Sequence, residues 1–311
     1  MSRILFERAG SGYRTVRGQL IKNIQQKLKE AGFNPGVIDG IYGNDTETAL
    51  LKWQKENNLN TTGKIDDDTW KLLVMPSIPS IYERSLQVTA DFEGHSFTKV
   101  AGNFDGAGIT WGIIGFTLKH GEITKMIQEI NQNYPSLLDT SFGSLKSELL
   151  SIIQDTPDKQ LSWSNKISVG NQKYEVRSDW ASAFEKLGNF PQVQAIQINY
   201  AQKYWERAKA KAEIYNLKTE MGIALCFDIE VQNGGIHPEK HGTLIKQKTQ
   251  ELRSMSEKDL RVIIANVVAE KSNPRWVEDV RLRKLTFAKG EGTVHGYKYA
   301  IKTWGIDEYQ F

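Results

Sequence analysis

Two carboxylates stand close together in the stretch Ala90-Asp-Phe-Glu-Gly-His-Ser-Phe-Thr-Lys-Val-Ala-Gly-Asn-Phe-Asp-Gly-Ala-Gly-Ile-Thr-Trp-Gly112. Glu93 and Asp105 are twelve positions apart, with aromatic and glycine residues around them. Such a pair can divide acid and base chemistry, one carboxyl protonating a leaving oxygen while the other directs a water. The acid partner must hold its proton, and Phe92, Phe97 and the run Ile113–Phe116 offer it apolar surroundings. Asp105, among glycine amides and near Thr110, is placed to stay ionised. Taken alone, the same residues serve equally to solvate a helix end and to close an Asp-Gly turn.

The elements that must position the pair are legible in outline. Ile81 to Phe92 reads as a helix. Ser96 to Val100 and Ala107 to Trp111 read as short strands, with a turn signal at Asn103-Phe-Asp-Gly106 between them. One acid then sits at a helix end and the other in a facing hairpin.

Further along, the chain reads as mostly helical. Helices are expected over Glu122–Asn133, Ser144–Ile153, Ser178–Leu187, Phe190–Ala212, Thr219–Val231, Glu257–Lys271 and Val277–Phe287. Upstream, residues 1–16 form an arm or edge strand. Three short helices follow, from Gly18, over Asp45–Asn57, and over Ile65–Leu73 with an aspartate cap. Val74-Met-Pro-Ser-Ile-Pro-Ser80 is a short, proline-stiffened linker. The division expected is therefore residues 1–75, a linker at 76–80, and a second domain over 81–311.

The 311 residues carry a net charge of +3, spread evenly, with no basic block of the kind that grips nucleic acid. No apolar segment approaches the roughly 20 residues needed to span a bilayer. The first residues lack the apolar core of a secretory signal. Cys226, the one cysteine, lies in an apolar run and reads as a core residue. His95, His120, His237, His241 and His295 are scattered, so neither a metal site nor a cofactor is expected. The chain is expected to be a monomer.

Two resemblances give these segments a meaning. Ile24-Gln25…Leu28…Gly32-Phe33…Asp39-Gly40-Ile-Tyr42-Gly43…Ala49…Trp53-Gln54…Thr62-Gly63…Asp68-Thr69-Trp70 resembles the peptidoglycan-binding domain family, a three-helix module. The resemblance implies a groove shaped by Asp39 and a sugar- or stem-facing ring at Tyr42. Asn103-Phe-Asp105-Gly-Ala-Gly-Ile-Thr110-Trp-Gly112-Ile-Ile-Gly115-Phe116, preceded by Phe92-Glu93, resembles the chitosanase family of the lysozyme-like superfamily. Asp179-Trp180, Phe227-Asp228 and Lys302-Thr-Trp-Gly305 follow in that family's order.

This second resemblance implies Glu93 as general acid, Asp105 as general base, Thr110 as a holder of the attacking water, and Asp228 as a supporting acid paired with arginine. Arg275, Arg281 and Arg283 are the arginines available. The spacing between the two acids is several positions shorter than in the chitosanases. Trp111 and Asn233 are further candidates for substrate contact. The fold implied is mainly α: the three-helix module, then a lysozyme-like, two-lobed domain with a short β-hairpin at the acids. The activity implied is a glycosidase acting on peptidoglycan, with inversion. Chitosan is the alternative substrate, and a non-catalytic wall-binding structural protein the alternative class. A wall substrate without a leader implies delivery by holin-type release, as for a phage endolysin, or by a contractile secretion system.

Overall fold

The computed structural model describes residues 2–75, 77–94, 96–252 and 254–311. Pro76 of the expected linker and His95 lie outside them. The chain forms two compact units, one of Met1–Phe92 with Tyr204–Phe311 and the other of Glu93–Lys203. It is mainly α-helical.

In the first unit, β1 (Ile4–Phe6) is followed by α1 (Gln19–Glu30) and α2 (Asn44–Glu56), and β2 (Ile65–Asp66) pairs antiparallel with β1 before α3 (Asp67–Leu73). Each helix is too short to persist alone in water. Burial of Ile21, Ile24, Leu28, Leu50, Trp53 and Trp70 holds the three together. Two buried glutamines organise the loops. Gln25 donates to Asp39 Oδ1, the Ile41 carbonyl and Thr46 Oγ1 at 3.1 Å each, and accepts from Gly40 N at 2.7 Å. Gln54 donates to the Lys64 carbonyl and accepts from Thr62 N and Gly63 N. The third helix begins two residues later than expected because Ile65–Asp66 is drawn into the ladder, and Asp66 caps it by accepting from Thr69 N at 2.8 Å.

Next comes α4 (Ile81–Glu93), started by a reciprocal cap between Ser80 and Glu83. Its inner face, Arg84 to Ala90, is buried. Gln87 on that face accepts from Leu20 N at 3.0 Å. It thereby satisfies an amide at the start of α1, which Gly18 cannot reach for lack of a side chain. Arg14 forks onto Asp91 with bonds of 3.0 and 3.1 Å.

The second unit opens with β3 (Val100–Ala101), β4 (Thr110–Trp111) and β5 (Phe116–Thr117), a three-stranded antiparallel sheet in that order. Val100 pairs with Trp111, and Thr110 with Thr117. The strands are two residues each, shorter than the pattern suggested, and the third was not foreseen. Then follow α5 (Glu122–Asn133), α6 (Pro135–Phe142), α7 (Lys146–Ile152), α8 (Pro157–Ile167), the hairpin β6 (Ser168–Val169) and β7 (Glu175–Val176), α9 (Ser178–Gly188) and α10 (Pro191–Ile214). An aromatic cluster fills the core: Trp111 and Phe184 lie 5.4 Å apart between centroids, Phe142 and Phe184 5.1 Å, Trp163 and Trp180 4.9 Å.

The first unit resumes with α11 (Glu220–Asn233), α12 (Thr243–Gln250), α13 (Glu257–Glu270), α14 (Val277–Lys289) and the hairpin β8 (Glu291–Val294) and β9 (Tyr297–Ala300). From Glu220 to Glu230, α11 is buried on every side, as its apolar sequence requires. Among the described residues no helix is long and apolar enough to cross a membrane.

Candidate active site

Glu93 is the last residue of α4 and is half-buried. Gly94 follows in the left-handed region, φ 62°, and ends the helix there. Its carbonyl accepts from Lys99 Nζ at 2.9 Å, closing the short loop after Glu93. Phe97 is buried, and its carbonyl accepts from Gln197 Nε2 at 3.0 Å. The same Gln197 accepts from Ile113 N at 3.0 Å. One buried amide on α10 thus clamps both flanks of the segment that carries the second acid.

That acid, Asp105, is exposed at the tip of the loop between β3 and β4. Its Oδ1 accepts from Ala107 N at 2.9 Å, an Asx turn that holds the carboxylate against its own backbone. Asn103 braces the loop from inside: its Oδ1 accepts from Gly108 N at 2.8 Å and its Nδ2 donates to Asn165 Oδ1 at 3.1 Å. Gly102 N donates to the Tyr174 carbonyl at 2.8 Å, and Asn103 N to Ser168 Oγ at 2.8 Å. The loop therefore leans on the β6–β7 hairpin. The approach is so close that a Cβ on Gly102 would overlap the carbonyl oxygens of Lys173 and Glu175. The turn at Asp105 engages one of the two carboxylate oxygens.

Thr110 is buried on the central strand of the sheet, five residues beyond Asp105. Trp111, beside it, is wholly buried against Phe184. Its expected role in stacking on substrate is therefore corrected: no face of the ring is left for a sugar. Trp180 is buried in the same way.

Glu93, Asp105 and Thr110 all belong to the second unit. Asp228 belongs to the first unit, wholly buried on α11. Arg283 binds its Oδ1 through Nη2 at 2.7 Å, Lys284 Nζ its Oδ2 at 2.5 Å, and Thr89 Oγ1 donates to it at 3.1 Å. Burial alone would raise the Asp228 carboxyl, but the two cations outweigh it and hold it below the ordinary carboxylate range. Of the available arginines Arg283 is the partner. Lys284 was not anticipated, since nothing in a run of charges tells which face a helix turns inward.

The remaining candidates also lie in the first unit. Asp39 is exposed but spends Oδ1 on Ile41 N and Gln25, shaping its own loop. Tyr42 is wholly buried, its hydroxyl donating to the Gly63 carbonyl. It is a core residue, and the ring expected to face a ligand is not available to one. Burial pushes its hydroxyl well above the ordinary range. Asn233 ends α11, and its Oδ1 is buried without a hydrogen-bond partner among the described residues. Sequence reading missed Phe104 and Tyr174, two aromatic rings exposed beside Asp105. Phe104 sits inside the motif that carries the resemblance, where its residue type alone gives no sign of exposure.

Residues 17–73 match the family model described as "Putative peptidoglycan binding domain". The carboxy-terminal processing protease CtpB of Bacillus subtilis (strain 168) is 40% identical over 53 residues, 17% of this chain and 11% of that protein. The chain therefore spans about a tenth of the length of that curated relative. Among solved structures, a GH46 chitosanase of Gynuella sunshinyii in complex with chitotetraose is 14% identical, covering 69% of this chain and 88% of its own, with a TM-score of 0.47. A native chitosanase of Bacillus subtilis MY002 is 20% identical over 69% of this chain and 88% of its own, with a TM-score of 0.48. A mutant of the MY002 chitosanase complexed with 6 GlcN is 19% identical over 72% and 100%, also at 0.48.

Proposed function

We propose that this chain is a cell-wall lytic glycoside hydrolase that cuts β-1,4 bonds in the glycan strands of peptidoglycan. The observation that carries the chemistry is the setting of Asp105, an exposed carboxylate locked by an Asx turn in the same compact unit as the helix-terminal Glu93. The match of residues 17–73 to a peptidoglycan-binding family supports the choice of polymer.

Glu93 gives its proton to the leaving glycosidic oxygen as the C1–O bond breaks. Asp105 takes a proton from the water that attacks C1 from the opposite face. The anomeric centre inverts, and Thr110 helps to orient the water. Asp228 keeps its place in a buried ion pair and exchanges no proton with substrate. The protein works at the bacterial wall after delivery by holin-type release or a contractile secretion system.

Chitosanase activity is the second reading, favoured by the run Asn103–Phe116. Purified protein incubated with sacculi and with chitosan in parallel separates the two by mass analysis of the soluble products. The expected result is new reducing ends from sacculi, formed first as the α-anomer, and a loss of at least about 100-fold in Glu93→Gln. Release of new amino groups instead of reducing ends would mean amidase or peptidase chemistry and would overturn the assignment.

A further inference from the structure

Phe104 is 46% exposed and Tyr174 48%, and the two rings lie 5.1 Å apart at a tilt of 46°. They come from different loops. Phe104 directly precedes Asp105, and Tyr174 is in the β6–β7 hairpin. Two backbone donations, from Gly102 N to the Tyr174 carbonyl and from Asn103 N to Ser168 Oγ, fix one loop against the other. Ser168 Oγ in turn donates to the Ser164 carbonyl at 2.6 Å on α8. The hairpin reaches this shape through two consecutive non-glycine residues in the left-handed region, Gln172 at φ 52° and Lys173 at φ 59°. Such residues hold their backbone in a strained conformation. The outcome is a pair of aromatic faces held open to water.

We propose that Phe104 and Tyr174 form a stacking platform beside Asp105 that seats one pyranose of an acidic, peptide-bearing glycan strand. The placing of that sugar next to the reacting bond rests on the hydrolase reading above. A pyranose has an apolar C–H face that covers an aromatic ring and a polar edge that needs donors and acceptors. The edge is supplied here by Asn103 and Asn165, whose amides are joined at 3.1 Å, and by Lys173, whose Nζ reaches Asn165 Oδ1 at 2.8 Å.

The charge around the platform selects among amino-sugar polymers. Lys99 Nζ stands 6.0 Å from the Tyr174 ring centroid, and Lys173 adjoins it in sequence. Of the neighbouring acids, Glu175 folds back over Gly170 and Asp105 turns one oxygen to Ala107 N. A cationic rim attracts the carboxylates of peptide stems and repels the ammonium groups of chitosan.

Hydrogen exchange on the full chain tests this, because it reads the platform separately from residues 17–73. Glu93→Gln protein is titrated with soluble, uncrosslinked peptidoglycan fragments that keep their stems, and in parallel with a chitosan hexamer. The expected result is slowed exchange over residues 99–106 and 170–176 with the fragments, and half-maximal protection only at higher concentration with chitosan. Phe104→Ala and Tyr174→Ala should each need about tenfold more fragment for the same protection, and Tyr174→Phe about the same as the parent. No protection there in the parent, or equal titrations in both alanine variants, would overturn the platform. Tighter protection by chitosan would overturn its selectivity. If the platform is protected but the wild-type chain cleaves neither polymer, the hydrolase reading falls and the sugar site stands. Cleavage with indifferent alanine variants gives the reverse.

Discussion

At Asp228 a carboxylate gives up water entirely and is answered by two cations, Arg283 and Lys284, with Thr89 supplying a further hydrogen bond. Removing one member of such a group is worse than never having built it, because the remaining charges stay buried without compensation. Asp228→Asn should cost about 3–5 kcal/mol in urea unfolding. The pH dependence has a fixed sign. The folded carboxyl lies below its ordinary value, so its contribution is complete above about pH 4 and is lost as pH falls through the lowered folded value. Wild-type stability should therefore decline at the acid end, and the Asn variant should show a flatter limb. A variant as stable as wild type would mean that the trio contributes nothing net.

The same residue scale shows where type misleads. Tyr42 and Trp111 have the side chains that sugar sites use, yet both are wholly buried. Phe104 and Tyr174, of the same chemical kinds, are the exposed ones. Type was legible in the sequence, but exposure depends on which partners the rest of the chain brings, and those partners are far away in the chain.

Among the elements, legibility followed the period of the pattern. Glu122–Asn133 stands where its apolar spacing put it, and most later helices shift only by a residue or two at their ends. The sheet near the acids was misjudged because little of its order comes from strand pairing. Its loops are tied by side chains instead: Asn103 to Gly108 N, Ser164 to Ile109 N, Gln197 to Phe97 and Ile113. A two-residue strand leaves no alternation to read. The hairpin at 168–176 was invisible for the same reason, and with it the platform.

Gln197 gives this account a test. It is wholly buried on α10, and it bonds backbone groups on both sides of the Asp105 loop. Gln197→Leu keeps the volume but strands the Phe97 carbonyl and the Ile113 amide. The expected cost is about 2–4 kcal/mol in unfolding, with a fall in glycan cleavage larger than Glu93 and Asp105 being intact would suggest. Unchanged activity and stability would show that the loop is held by other means.

On the scale of the whole chain, the helical module at residues 17–73 raises the question of whether it is a detachable anchor. Its setting in the first unit argues that it is not. Gln87 of α4 caps the first turn of α1, Arg14 forks onto Asp91, and Arg3 and Arg84 share Glu220. Leu5 and Phe6 are wholly buried, and Glu7 N donates to the Thr303 carbonyl at 3.1 Å. None of these ties depends on the length of chain between Val74 and Ser80. Two changes should therefore diverge. Inserting a few glycine and serine residues after Ser77 lengthens a surface connection and should cost about 1 kcal/mol or less. Beginning the chain at Ser80 takes Leu20 N from Gln87, Arg14 from Asp91 and Arg3 from Glu220, leaving Asp91 to Tyr299 and Glu220 to Arg84, and should lower the melting temperature by more than about 5 °C. Calorimetry on both proteins decides it. If the truncated chain melts with the full one, the module is a tethered anchor after all, and the contacts along α4 are incidental to the stability of the unit.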